Sequence, residues 1–77
     1  MAALFYKNHF IIATGFFDKD LDRWIPIADV SWHSAAGRDF HTINFSADEF
    51  RTKEQAEIFA VEAAEAWVDE RYKAITH

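Results

Sequence analysis

Three segments rich in aromatic and β-branched residues, split by short polar turns, precede one long stretch without a helix breaker. That order predicts an α+β domain: a three-stranded antiparallel β-meander followed by one long C-terminal helix packed on one sheet face, a two-layer β-β-β-α arrangement. With 77 residues there is room for a single domain, 1–77. The apolar mass is eight Phe, three Trp, seven Ile and only two Leu, beside 13 Ala that bury little each. A domain this small is marginal unless its layers pack closely or it oligomerises.

The first strand is placed at about 8–17, Asn8 to Phe17 (NHFIIATGFF), and the acidic run from Asp18 to Asp22 turns the chain. The second covers about 24–34 (WIPIADVSWHS), with Pro26 near its start because proline has no N–H to give a ladder. Ala35, Ala36 and Gly37 form the next turn, and the third strand covers about 38–46 (RDFHTINFS).

With Ala36 and Gly37 at the tip, Trp32 falls opposite His41, Val30 opposite Ile43 and Ala28 opposite Phe45, giving an apolar side. The other side pairs His33 with Phe40, Ser31 with Thr42 and Asp29 with Asn44. A one-residue slip would mix the two sides, so a buried face selects this register. Phe10, Ile12 and Phe16 share a parity and are assigned to the apolar, helix-covered side.

The helix is placed at about 53–74. Thr52-Lys-Glu-Gln55 has the form of a capping box, and Ala56, Phe59, Ala60, Ala63 and Trp67 share a narrow face at 100° per residue. Phe50 is expected to close the same core. Val61, Val68 and Tyr72, with Ile58 nearby, form a weaker stripe assigned to the outer side of the helix.

One helix covers one sheet face, and the function is sought on the other. By the parity above, that face presents His9, Ile11, Ala13 and Phe17, then Ile25, Ile27, Asp29, Ser31 and His33, then Phe40, Thr42 and Asn44. Ile11, Phe17, Ile25, Ile27 and Phe40 would supply the apolar contact, and Asp29, Ser31, His33, Thr42 and Asn44 the polar specificity. An uncovered apolar patch of a few hundred Å² marks an interaction site. The reading is a small protein-interaction module that forms a homodimer or docks a protein partner. Two-fold self-association is the commonest use of such a face.

Composition excludes several other classes. There is no Cys, hence no disulfide or thiolate metal site, and a cytoplasmic location is expected, with no secretory signal and no apolar run long enough to span a membrane. The net charge is −5, of which −1 lies up to Ser46 and −4 beyond it, and Lys7, Lys19, Arg23 and Arg38 stand apart rather than in a basic cluster. Nucleic-acid binding through the sheet is therefore the second reading, since phosphate recognition needs a basic footprint.

An enzyme with a site completed between subunits is the third reading, and the chain is read as a non-enzyme without cofactor. Asp29, Ser31 and His33 look like a triad, but neighbours on one strand face stand about 6.6–6.8 Å apart, beyond hydrogen-bond reach. His9 and His33 could neighbour each other beside Asp29, yet a metal site needs three or four converging ligands, so no metal is expected. Glu54, Glu57, Glu62 and Glu65 belong to a solvated helix face.

Phe50-Arg-Thr-Lys-Glu-Gln-Ala56-Glu57, after three strands, resembles the arm-type DNA-binding domain of tyrosine integrases over roughly residues 38–67. The resemblance implies a three-stranded sheet backed by one helix, with the sheet laid in the major groove. In that family the sheet carries several Lys and Arg, whereas this sheet offers Asp29, Ser31, Thr42 and hydrophobic residues. The Ala-rich ending Ala66-Trp67-Val-Asp69-Glu70-Arg71 is also similar to small bacterial β-β-β-α proteins, which implies a fold and no activity.

Overall fold

The computed structural model describes residues 1–44 and 50–76, in the order β1 (Ala2–Tyr6), β2 (His9–Asp18), β3 (Arg23–Ser34), β4 (Gly37–Asn44) and α1 (Lys53–Thr76). The α+β class with an antiparallel sheet and a C-terminal helix is as expected, but the sheet has four strands, in the order β1-β2-β3-β4. The additional strand is Ala2–Tyr6, which pairs with β2 from Ala2↔Ala13 to Tyr6↔His9. Lys7 and Asn8 make the connecting turn, both at positive φ (47° and 65°). That is the mirror-image turn whose twist suits a tight hairpin.

The second hairpin is held at its loop by Asp18, whose Oδ1 accepts hydrogen bonds from the Asp20 and Leu21 amides at 2.9 and 3.2 Å. The third differs in register from the sequence reading. Ser34 pairs with Gly37, so Ala35 and Ala36 span the turn and Gly37 takes a φ of 124°. Val30 then faces His41, Ala28 faces Ile43, Ser31 faces Phe40 and Asp29 faces Thr42. The shift is two residues, an even number, so the assignment of β3 and β4 side chains to the two faces survives it. Phe45 and Ser46, expected at the end of this strand, lie outside the described residues.

Beyond them, Phe50 makes an isolated bridge to Trp24, with paired backbone hydrogen bonds of 2.9 and 3.0 Å. Its ring packs 5.3 Å from that of Phe59, closing one end of the core. The helix starts where the cap was expected: the Gln55 amide donates to Thr52 Oγ1 at 3.1 Å. Glu54 in the first turn and Lys73 in the last complement the helix dipole.

The buried core is Ile11, Ala13, Ala28, Val30, Ala60, Ala64 and Val68, with Ala56 also fully buried. Small residues therefore meet small residues across the layers, and the helix lies close against β2 and β3. This overturns two assignments. Ile11 and Ala13, with the buried His9, face the helix, so Phe10, Ile12 and Phe16 lie on the opposite face. Val68, placed on the outer stripe, is fully buried, and Val61 packs against the core; Ile58 and Tyr72 are exposed as expected.

Candidate functional site: the helix-free sheet face

Cross-strand partners share a face, so the ladder specifies what the uncovered side presents. At one end runs a row of Phe5, Phe10, Ser31 and Phe40, one from each strand. Next to it lies Ala3, Ile12, Asp29 and Thr42, then Thr14, Ile27 and Asn44, and finally Phe16 with Ile25. Phe5 and Phe40, at the two sheet edges, are 77% and 78% exposed, and Phe16 is 55% exposed. Phe5 and Phe10 pack with ring centroids 5.0 Å apart at 49°, a tilted pair that pre-orders the aromatic edge.

The polar groups on this face are paired across strands. Thr42 Oγ1 donates to Asp29 Oδ1 at 2.6 Å, and Arg38 Nη2 donates to Ser31 Oγ at 2.9 Å. Asp29 and Ser31 are thus engaged by neighbours on β4, Asp29 in the row beside Ile12 and Ser31 between Phe10 and Phe40. His33 is exposed and faces Arg38 across the ladder. Among the described residues no cluster of three His, Asp or Glu side chains is placed to hold a metal ion.

Of the residues expected on this face, Ile25, Ile27, Asp29, Ser31, His33, Phe40, Thr42 and Asn44 are there. Ile11 is not: it is fully buried beneath the helix. Phe17 is not either; it shares the helix-side parity of Ile11 and packs edge-on against Trp24, 5.2 Å between centroids. The sequence reading missed Phe5, Phe10, Ile12, Phe16 and Arg38. For Phe10, Ile12 and Phe16 the signal is the parity of β2: assigning that set to the apolar side of Val30 and Trp32 inverts the strand.

The opposite, helix-covered side carries an ionic cluster at the β1–β2 turn. Asp69 Oδ1 accepts from Lys7 Nζ at 2.6 Å and from Tyr6 Oη at 2.9 Å. The hydrogen bonds from Lys7 and then Tyr6 hold the Asp69 carboxyl below its ordinary range. The same hydrogen bonds to Asp69 raise both Tyr6 and Lys7. This cluster ties the first hairpin to the last third of the helix.

Comparison with protein-family models, curated proteins and solved structures gave no match. No helix among the described residues is long and apolar enough to cross a membrane.

Proposed function

We propose that this chain is a small interaction module that self-associates through the helix-free face of its sheet. The observation that carries the reading is the placement of Phe5, Phe10, Ile12, Phe16, Ile25, Ile27 and Phe40 on one face that no described element covers. A patch of that kind is rare on a monomer's surface. A second copy suits it because the face holds both an anion, Asp29, and a cation, Arg38. An isologous contact brings each patch against itself, so both signs must be present for the charges to pair.

A nucleic acid would also stack on exposed aromatic rings, but its phosphates ask for several cations beside them. The strands of this face supply Arg38 and, at the far end of β3, Arg23. A partner of that chemistry would reveal itself as retention on single-stranded DNA or RNA that weakens steeply with salt.

The test is solution mass by light scattering from micromolar to near-millimolar protein. Self-association predicts a concentration-dependent dimer, and Ile27→Lys predicts a folded monomer at every concentration. A wild-type monomer throughout the series, or an Ile27→Lys protein that still dimerises, would refute this face as the contact.

A further inference from the structure

The outer face of α1 carries a second surface that no described element covers. Ile58 stands there 60% exposed, on a ridge that runs Glu54, Ile58 and Glu62 at one-turn spacing. A shallow hollow lies on each side of this ridge, and Ile58 and Glu62 border both. One, of about 400 Å³, is lined by Phe50 and Phe59; the other, of about 310 Å³, by Ala2 and Val61. Both are mostly apolar inside.

Charge decides what fits there. From Glu54 to Glu70 the helix carries six acidic residues and no Lys or Arg. Three of the six find cations beyond that stretch: Glu57 pairs with the terminal amine at 2.8 Å, Asp69 with Lys7 at 2.6 Å and Glu70 with Lys73 at 3.8 Å. Glu54, Glu62 and Glu65 have no ion pair among the described residues. These three frame the apolar surface: Glu54 and Glu62 stand one turn either side of Ile58, and Glu65 borders the hollow at Val61. Glu62 and Glu65, three residues apart, are also surface neighbours of like sign, which works against the helix. A second copy would bring glutamate against glutamate here, and a nucleic acid or an anionic membrane surface would be repelled.

We propose that this face docks a basic amphipathic helix of a protein partner. Apolar side chains of that helix, at i and i+3 or i+4, straddle the Ile58 ridge and enter the two hollows. Lys or Arg residues beside them meet Glu54, Glu62 and Glu65, supplying the cations that α1 lacks. This surface lies across the molecule from the helix-free sheet face, and either contact stands without the other.

The test is an NMR titration of the isotope-labelled protein with a synthetic helical peptide of leucine and lysine, the leucines forming one stripe. The control peptide has alanine for leucine and keeps every charge. The expected result is saturable shifts of the Ile58, Val61 and Glu62 amides, with the alanine peptide about tenfold weaker and both weakened by salt. Ile58→Ala, at an exposed position that the core does not use, should weaken the leucine peptide about fivefold or more. Equal affinity for the two peptides, unchanged affinity in Ile58→Ala, shifts centred on the helix-free sheet face, or no saturable shift would each overturn the proposal.

Discussion

Gly15 on β2 lies directly beneath Ala56 on the helix: a Cβ at Gly15 would stand 3.1 Å from the Ala56 Cβ and 3.0 Å from the Lys53 carbonyl oxygen. The first turn of the helix rests on the sheet at this point, and one of the two obstructing atoms is backbone that cannot rotate aside. Gly15→Val is therefore expected to destabilise the fold by about 1–3 kcal/mol through overpacking. Thermal unfolding reads this as a fall of roughly 4–8 °C per kcal/mol for a domain of this size. An unchanged melting temperature would show that the helix does not approach β2 so closely.

Ile11 is fully buried in the core, whereas Ile27 is half-buried on the uncovered face. Ile11→Ala should cost about 2–5 kcal/mol, most or all of the margin of a small domain. Ile27→Ala should cost clearly less in the monomer. Chemical denaturation of the two variants at low protein concentration, where any dimer is dissociated, ranks them; the reverse order would reassign the faces of β2 and β3.

The Thr52 hydroxyl satisfies the Gln55 amide at the helix start. Replacing it with alanine leaves that N–H to water and should cost about 1 kcal/mol. Thr52→Ser, which keeps the oxygen, should recover most of the loss in the same denaturation assay.

Asp69 has its carboxyl held below the ordinary value of 3.8 by Lys7 and Tyr6. A folded pKa below the unfolded one adds stability that is present above the unfolded value and fades as the pH falls through the folded one. Tyr6 is raised above 10.0 by the same hydrogen bond, so its share is present below that pH and fades as the pH rises through the higher folded value. Asp69→Asn should accordingly flatten the loss of stability below about pH 3.8 and weaken the loss above pH 10.0. Because all three groups are accessible to solvent, the effect should be small and reduced by salt. Unfolding curves across the pH range, at low and high salt, measure it.

The parts of the fold legible in the sequence are those where local chemistry is decisive. The helix start follows from Thr52 and Gln55, and the faces of β3 and β4 follow from alternation. β1 was hidden because Ala2–Tyr6 is short and its turn, Lys7-Asn8, lacks the glycine that usually signals positive φ. The faces of β2 were misread for a different reason. Phe10 and Phe16 belong to the bulkier set, yet a helix studded with Ala56, Ala60 and Ala64 has no room beneath it for them. It accepts Ile11, Ala13 and Gly15 instead. The choice between the two sets depends on the partner layer, and no single strand carries that information.

The same inversion has a calorimetric consequence. Ala, Val and Ile fill the interior while Phe5, Phe16 and Phe40 stay wet in the folded monomer. Unfolding that monomer exposes less new aromatic surface than it would if these three rings were buried, so its heat-capacity increment should be smaller than that of the associated form. Its stability curve is then shallow, with broad tolerance to temperature and a low maximum. Covering the aromatic face would restore the missing increment and steepen the curve.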